Sequence, residues 1–326
     1  MALFRRIMFG LLAAGVLAFI VVPLLIPATT SGTMTNREAA ASGEFVSLNG
    51  LDVHIEKQEY TGTCTCNAPL IVLMHGFGAS TFSWRDVIGP LSAAGTVVAY
   101  DRPGFGFTER PTSWTGENPY GFAGNFALLD AIIERFGAGK EVVLVGHSAG
   151  GQLAAEYTRL NPAKVQRLVL ADPAILTTGA GPEWLNVVFG IPQMDSLGPL
   201  LVAGIASSGD DLLRQSYDNQ AALTPEVYDG YHQPLKVIGW ERGFWEFTTA
   251  PRANDLVANL ATIATPTLLI TGDNDTVVPT SDTEKLTTLM PNTTLVVIPQ
   301  SGHLPQEEQA TAFSDAVIAW LGSPLP

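Results

Sequence analysis

The chain has 326 residues, of which 46% are hydrophobic, and its formal net charge is −14. This length and apolar content suit one large α/β domain or two small ones with a sizeable core. An acidic surface repels phosphate backbones, which argues against nucleic acid as a partner.

The first 30 residues form a separate unit. Arg5 and Arg6 precede an uncharged apolar run over residues 7–27, which is about long enough to cross a bilayer as a helix. Because the positive charges lie on the N-terminal side, that end is expected to stay in the cytoplasm. The run exceeds the usual apolar region of a cleaved signal, so residues 1–30 are predicted to be a signal anchor. A cleaved signal peptide, and hence a secreted protein, is the alternative.

A polar stretch, residues 31–43, follows and is predicted to be a linker. The two cysteines of the chain, Cys64 and Cys66, come later. Metal ribbons need more ligands at other spacings, and a disulfide across so short a loop would be strained. The cysteines are therefore interpreted as unpaired loop residues, and no metal site is predicted.

From Glu44 onward, short apolar runs alternate with helical patterns. Asn49-Gly50 is a strong turn signal that predicts a hairpin of residues 45–48 with residues 51–56. Strands are further predicted at 70–74, 96–100, 141–145, 167–171, 267–271 and 294–298, and helices at 84–93, 125–136, 150–161, 281–290 and 306–321. This alternation predicts an α/β fold with a doubly wound, mostly parallel sheet, made from residues 44–172 and 260–326.

Residues 173–259 interrupt the alternation. They hold aromatic helical stretches broken by proline and glycine, and so long an insertion within a compact domain is usually functional. We interpret it as a helical lid. Its candidate substrate-binding residues are Trp184, Trp240, Phe244 and Trp245, because aromatic walls suit an apolar ligand. Each of them could equally pack the lid onto the core.

The pattern G-x-S-x-G occurs at residues 146–150 and is weak evidence alone. Here it follows the apolar strand 142–145 and opens the helix predicted from Gly150. A strand-to-helix turn tight enough to project a serine hydroxyl strains the backbone of the serine, and its neighbours must be very small. The helix N-terminus then directs its dipole at a developing anion. The context predicts Ser148 as a nucleophile rather than part of an ordinary glycine-rich turn.

A second glycine-containing stretch, His75-Gly76-Phe77-Gly78, follows the strand 70–74. A nucleophilic serine needs amide donors for the oxyanion that forms on attack, one of them from such a loop. The amides of Phe77 and Ala149 are the candidates. His75 is interpreted as a brace for the loop rather than a proton carrier. A simple glycine-rich loop is the alternative for this stretch.

The chain has five histidines, and elimination leaves one candidate for the base. His54 lies in the early hairpin, His75 in the loop just described, His147 beside the nucleophile and His232 in the insertion. His303 follows the last predicted strand, at the carboxyl edge of the sheet, where sites form in open α/β folds. It is therefore predicted to be the base.

The acid that orients the base is expected after the strand 267–271, which gives the chain order Ser, Asp, His. Asp275 is the preferred candidate, while Asp273 is expected to cap or tie the turn. Asp172, at the end of strand 167–171, is the reserve candidate; its alternative role is a cap before Pro173.

Together these motifs resemble the α/β-hydrolase superfamily, specifically its single-lid, HG-x-G branch of esterases and related hydrolases. The resemblance covers about residues 44–322 and rests on motifs at residues 75–78, 101–106, 146–150, 272–279 and 302–303, in the order of the family. It implies a lid between the sixth and seventh main strands. It also implies that Asp101 and Arg102 shape a turn near the site. The N-terminal apolar segment departs from most soluble members.

The combined prediction is a serine hydrolase that needs no metal or organic cofactor. Ser148 would attack a carbonyl as His303 takes its proton, Asp275 would hold the imidazole, and water would release the acyl group. A small, apolar carboxylic ester is the leading substrate. The alternatives are a cofactor-free haloperoxidase or perhydrolase, a carbon–carbon bond hydrolase, and a non-catalytic binding protein on the same fold. Epoxide hydrolase or dehalogenase activity is disfavoured because those relatives need a carboxylate in place of Ser148.

Overall fold

The computed structural model describes residues 2–25, 31–63, 67–177, 184–205, 209–251 and 255–323. Cys64 and Cys66 lie outside the described residues, as do the small residues 28–30 that a signal peptidase would have to recognise.

One eight-stranded sheet forms the centre of the molecule, with the strand order β1-β2-β4-β3-β5-β6-β7-β8. The strands are β1 (Glu44–Leu48), β2 (Leu51–Gln58), β3 (Leu70–Met74), β4 (Thr96–Tyr100), β5 (Val142–His147), β6 (Arg167–Ala171), β7 (Thr267–Gly272) and β8 (Thr293–Ile298). Strand β2 pairs antiparallel with β1 and with β4, and all the other pairs are parallel. The predicted doubly wound, mostly parallel sheet is confirmed.

The central strands read as continuous apolar runs because both of their faces are covered. Every residue of β3, β4, β5 and β7 is buried, as a parallel sheet between two helical layers requires. The edge strands β1 and β8 alternate buried or half-buried positions with exposed ones.

Helices cover the sheet and continue into the insertion. They are α1 (Ala2–Leu25), α2 (Asn36–Ala39), α3 (Ile88–Leu91), α4 (Phe122–Phe136), α5 (Ala149–Leu160), α6 (Trp184–Phe189), α7 (Met194–Ile205), α8 (Gly209–Ser216), α9 (Pro225–His232), α10 (Trp240–Thr249), α11 (Leu256–Asn259), α12 (Thr280–Leu289), α13 (Pro305–Glu308) and α14 (Ala310–Leu321). One apolar cluster joins one face of the sheet to α4, α5 and α12. A second joins the opposite face to α3 and α14.

Two predicted helices are wrong in extent. The predicted helix 84–93 is instead a 3-10 turn, Thr81–Trp84, followed by the short α3. Pro90 lacks the amide hydrogen that a helix continuing back to residue 86 would need. The predicted helix 306–321 is divided into α13 and α14 at Gln309, whose φ of −132° and ψ of 48° are not helical.

A helical insertion, α6 to α10, lies between β6 and β7. Helices α7 and α10 pack together through Met194, Val202, Trp240 and Trp245. The insertion is tied to the core at Glu307 on α13. Its carboxylate accepts hydrogen bonds from Tyr217 Oη (2.7 Å) and Tyr231 Oη (2.5 Å) and pairs with Arg85 Nη1 (2.6 Å).

Residues 31–43, predicted as a linker, hydrogen bond to the insertion and to the core. Ser31 Oγ accepts from Trp240 Nε1 (2.9 Å) and donates to the buried Glu241 carboxylate (2.6 Å). Met34 forms a bridge with Val237. Helix α2 follows this bridge, and Asn36 Nδ2 donates to Phe107 O (2.7 Å).

Asp101, at the end of β4, organises the turn that follows. Its buried carboxylate accepts from Thr81 N (2.6 Å) and Phe107 N (2.7 Å) and lies 2.8 Å from His54 Nδ1. Burial disfavours the charged imidazole, but the adjacent carboxylate raises the pKa of His54 above its ordinary value. The other ring nitrogen, Nε2, lies 2.9 Å from Ser42 O, so both nitrogens face acceptors and the pair is a buried ion pair that joins β2 to the turn after β4.

Removing Asp101 is expected to destabilise the fold far more than removing an exposed partner. Asp101→Ala would leave His54 and two amides buried without their acceptor, which costs about 3–5 kcal/mol. The matched control is Asp52→Ala, which breaks the exposed pair with Arg37 and should cost less than about 1 kcal/mol. Urea unfolding of the full-length protein measures both. Equal losses would contradict a structural role for Asp101.

Candidate active site

Ser148 occupies the turn between β5 and α5. Its φ of 52° and ψ of −120° are unfavourable for a residue with a side chain, and such strain is typical of functional turns. The backbones around the turn approach closely. A Cβ on Gly146 would lie 2.6 Å from Gly150 O, and one on Gly150 would lie 2.2 Å from Met74 O. The glycines of the motif are therefore required by the packing of backbone on backbone.

The loop after β3 lies directly against Ser148. A Cβ on Gly76 would be 3.1 Å from Ser148 Cβ, so this loop brings the next amide, Phe77 N, toward the nucleophile. Ala149 N is the first amide of α5. Neither amide donates a hydrogen bond to another residue that the structure describes. Both are thus available to an oxyanion, as a helix N-terminus and a glycine loop would provide.

His75 braces this loop. Its Nε2 accepts from Arg102 N (3.0 Å), so its Nδ1 carries the proton and donates to Gly76 O (2.8 Å). Burial, assisted by the charge of Arg102, lowers the pKa of His75 to about 3. The ring is neutral at physiological pH and joins the two loops, in agreement with the role predicted for it.

His303 and Asp275 form a hydrogen-bonded couple. His303 Nδ1 lies 2.7 Å from Asp275 Oδ2, and Asp275 Oδ1 accepts from Val277 N (2.8 Å) and Val278 N (3.0 Å). The carboxylate oxygens are acceptors, so Nδ1 carries the imidazole proton and Nε2 is left as the basic atom. This is the tautomer that a general base beside a serine requires.

The loop after β8, residues 299–304, carries the predicted base and is here called the base loop; it is connected to the turn at Ser148 through His147. Its Nε2 donates to His303 O (2.7 Å), and the rings of His147 and His303 are 4.8 Å apart. Among the described residues His303 hydrogen bonds to Asp275, His147 and Ser216, and not to Ser148 Oγ. Catalytic hydrogen bonds of this kind are often long before substrate binds. Both side chains are buried, with exposures of 8% for Ser148 and 5% for His303.

Asp273 and Asp172, the two other carboxylates considered for the acid, accept hydrogen bonds from groups other than His303. Asp273 Oδ1 accepts from Ser301 N (3.2 Å) and Asn274 Nδ2 (3.0 Å), so it ties the turn after β7 to the base loop. Asp172 is completely buried and accepts from Thr271 Oγ1 (2.8 Å) and Gly272 N (3.1 Å). Neither hydrogen bonds to His303.

Asp172, Asp275 and His303 each offer one ligand atom, and these atoms lie within 4.8 Å of one another. The donor types would suit a divalent cation. However, His303 Nδ1 and Asp275 Oδ2 face each other at 2.7 Å, and Asp275 Oδ1 is held by two amides. A cation would have to break that couple, so the residues do not fit a metal centre.

The helical insertion brings aromatic rings to the loop after β3, residues 75–78, which is here called the oxyanion loop for its predicted role. The Phe77 ring lies 5.1 Å from the ring of Phe244 on α10, and the Phe105 ring lies 4.5 Å from that of Phe247. A cavity of ≈ 40 Å³ between core and insertion is lined by residues that include Ala79, Phe105, Arg110, Trp240 and Phe244. Ser148 and His303 are not among the residues that line this cavity.

The predicted substrate-binding aromatics are placed differently from one another. Phe244 contacts the oxyanion loop and lines the cavity, which Trp240 also reaches. Trp245 packs within the insertion, 5.2 Å from the Phe189 ring and against Gly198. Trp184 begins α6, and its side chain lies outside what the structure describes.

Several residues of the site escaped sequence reasoning. Phe105 and Phe247 complete the aromatic wall, and Glu308 Oε1 accepts from Gly302 N (2.6 Å), which holds the base loop. His303 N donates to Ser216 O (2.8 Å) at the end of α8. These contacts join segments far apart in the chain. The one sequence signal for Phe105 was its place in the 101–106 motif, which the resemblance to the family had singled out.

The comparison with known proteins follows this geometry. The model of the alpha/beta hydrolase family matches residues 71–316. The chain belongs to that family. The "Uncharacterized hydrolase YugF" of Bacillus subtilis is 27% identical to this hydrolase over 86% of this chain and 98% of its own. A 2-hydroxy-6-oxononadienedioate/2-hydroxy-6-oxononatrienedioate hydrolase of Dechloromonas aromatica is 26% identical over 90% and 99% of the two chains.

Solved structures share the fold. A membrane phospholipase A described as a bacterial virulence factor superposes with a TM-score of 0.63 at 24% identity, over 98% of this hydrolase and 97% of that chain. At this level of identity the likeness shows the fold alone.

The close backbone packing at the turn of this hydrolase can be tested at Gly146. Gly146→Ala would place a methyl group 2.6 Å from Gly150 O and Gly151 Cα, and neither backbone atom can move without displacing Ser148. We expect labelling of Ser148 by a fluorophosphonate probe to fall at least about a hundredfold in rate. Gly89→Ala is the control, since nothing lies within 4 Å of its added methyl group. Normal labelling of Gly146→Ala would contradict the packing argument.

Proposed function

We propose that this hydrolase cleaves carboxylic esters through an acyl-enzyme on Ser148. The observation that carries the proposal is the convergence of three elements at one edge of the sheet. These are a strained serine at a helix N-terminus, a His303–Asp275 couple at 2.7 Å, and two amides with no hydrogen-bond acceptor among the described residues.

In the proposed mechanism, Ser148 Oγ attacks the ester carbonyl while His303 Nε2 takes its proton. Asp275 holds the imidazole in the required tautomer and stabilises the imidazolium that forms. The amides of Phe77 and Ala149 donate to the oxyanion, and each contributes on the order of 3 kcal/mol in the transition state. His303 then protonates the leaving alcohol, activates a water molecule for attack on the acyl group, and returns the proton to Ser148.

The helical insertion serves as the lid in this proposal. Ser148 and His303 are buried beneath it, with exposures of 8% and 5%. Phe77 and Phe244 make the contact between oxyanion loop and lid. Substrate entry therefore requires this aromatic contact to part, and the rings then line the wall of the open pocket. Such a wall favours an apolar acyl or alcohol group.

Carbon–carbon bond hydrolysis is the second candidate. Its support is the name of the 26% identical relative, a 2-hydroxy-6-oxononadienedioate hydrolase, since the same nucleophile and base can attack a ketone carbonyl. We favour the ester because the rings of Phe77, Phe105 and Phe244 pack against one another as an apolar wall. The haloperoxidase or perhydrolase and the non-catalytic binding protein have no comparable support.

Ser148→Ala is expected to abolish turnover of p-nitrophenyl esters, leaving less than about a hundredth of the wild-type rate. The measurement is initial rate over esters of graded acyl length, together with labelling by a fluorophosphonate probe. Ser281→Ala, an exposed serine on α12, is the control and should match wild type. Residual activity above that limit would exclude the acyl-enzyme on Ser148.

The same panel separates the two candidate reactions. Hydrolysis of esters with no turnover of a vinylogous diketone supports the ester hydrolase. The reverse pattern, again dependent on Ser148, would replace the ester proposal with the carbon–carbon bond hydrolase.

We also propose that α1 anchors the enzyme in a membrane with the catalytic domain outside the cytoplasm. Among the described residues, Phe4–Leu25 is the one stretch long and apolar enough to cross a bilayer, and Arg5 and Arg6 mark its cytoplasmic end. The likeness to the membrane phospholipase spans 98% of this chain and so reaches into α1. Cleavage as a signal peptide, which would release a secreted enzyme, is the alternative.

The anchor predicts that the enzyme stays in the pellet when membranes are extracted with alkaline carbonate. Its intact mass should include residues 1–30. Arg5→Glu combined with Arg6→Glu should disturb the orientation, measured by protease access to the catalytic domain in intact cells. A soluble enzyme that begins near residue 31 would establish the secreted alternative.

A further inference from the structure

Asp172 is a buried carboxyl group that the proposed mechanism does not use. It lies at the end of β6 with 0% exposure and a φ of 42°, a backbone conformation that costs energy for a residue with a side chain. Its Oδ1 accepts from Thr271 Oγ1 (2.8 Å) and Gly272 N (3.1 Å). Its Oδ2 is buried and has no hydrogen-bond partner among the described residues. An ionised carboxylate with one oxygen left in this state would be strongly unfavourable.

The neighbouring carboxyl group is Asp275. Ligand atoms of Asp172, Asp275 and His303 lie within 4.8 Å of one another. Two carboxylates so close and so dry cannot both be ionised, so one of them keeps a proton.

The hydrogen bonds decide which carboxyl is protonated. Asp275 has a donor for each oxygen: the amides of Val277 and Val278 for Oδ1, and the Nδ1 proton of His303 for Oδ2. Three donors of this kind favour the ionised form. Asp172 has donors on one oxygen alone, and a proton on Oδ2 would provide the bond that this atom lacks.

We propose that Asp172 is a neutral carboxylic acid at physiological pH, that its Oδ2–H donates to the Asp275 carboxylate, and that it thereby positions Asp275 beneath His303. Burial, followed by the negative charge of Asp275, raises the pKa of Asp172 well above its ordinary value, in agreement with this assignment. The charged or titratable groups that face Asp172 are Asp275, from the loop after β7, and His303, from the loop after β8.

A proton on Asp172 affects the base of the proposed mechanism, and this part of the inference rests on the proposed function. With Asp172 neutral, the group next to His303 carries one negative charge. A second charge would favour a protonated imidazole, which cannot accept the proton of Ser148. Asp172 is thus a positioning residue that orients Asp275 and leaves a single charge at the base.

The direct test does not depend on activity. The infrared spectrum of the full-length protein at neutral pH should contain the carbonyl band of a buried, protonated carboxylic acid, and Asp172→Asn should remove it. Asp273→Asn, which changes a carboxyl on the neighbouring loop, is the matched control and should leave the band in place. A wild-type spectrum without the band, or a band that survives in Asp172→Asn, would overturn the proposal.

The pH dependence of stability gives a second test. A carboxyl whose pKa is raised in the folded state contributes stability that is fully present below its unfolded pKa of about 3.9. That contribution is lost as the pH rises toward the folded pKa. The melting temperature of Asp172→Asn minus that of wild type should therefore increase from pH 5 to pH 8. A difference that stays constant or decreases over this range would mean that Asp172 is ionised throughout.

Activity then tests the positioning role. Asp172→Ala removes the donor to Asp275 and should lower kcat/KM by about tenfold or more. Asp172→Asn should recover most of that loss, because its amide donates where the acid did. Failure of Asn to rescue would overturn the positioning role. If the band and the stability trend are present but no ester is turned over, the proposed function fails and the protonated pair stands.

Discussion

The structure depends on the close approach of backbones around Ser148. The end of β3, the turn after β5 and the start of α5 come so near to one another that Gly76, Gly146 and Gly150 have no room for a side chain. This contact holds the serine at a positive φ. Such strain persists only when the surroundings over-determine it. The buried strands β3 and β5 and the packing of α5 on the sheet supply that constraint.

The side of the site that carries the base is held by other means. The loop with His303 is tied by Glu308 and Asp273, and it receives a hydrogen bond from His147. It also rests on Ser216 from the helical insertion. Because the insertion contacts both the loop that carries His303 and the loop after β3, a movement of the insertion would also act on these two loops. The hydrogen bonds of Tyr217 and Tyr231 to Glu307 limit how far the insertion can separate from the core.

The buried polar side chains beneath the site form two pairs, and the pairing keeps the net charge of each pair small. His54 and Asp101 are an ion pair behind the oxyanion loop, and the proposed Asp172–Asp275 pair shares one proton beneath the base. Both arrangements satisfy buried polar groups whose net charge would otherwise be costly in so dry a position. The N-terminal segment joins this region from outside, since Ser31 and Met34 bind the insertion and Asn36 binds the turn after β4. A retained α1 would therefore be connected to the lid within a few residues.

Local patterns in the sequence determined the fold class. Continuous apolar strands, the Asn49-Gly50 turn and the alternation of strands with helices predict a parallel sheet with an antiparallel edge. The nucleophile turn could be predicted because its requirements are local: an apolar strand, small neighbours and a following helix. The limits of two helices were wrong where a single Pro90 or the conformation of Gln309 decided the outcome.

Contacts between distant segments were decided by the tertiary structure alone. The sequence offered Asp172, Asp273 and Asp275 as carboxylates near one edge of the sheet, and the distances show which of them reaches His303. Nothing in the sequence indicated the aromatic wall, the connection of the helical insertion to Glu307 or the unpartnered oxygen of Asp172. Hydrogen bonds and burial depend on where distant chain segments meet. Periodicity and spacing describe only the segment in which they occur, so they do not predict these contacts.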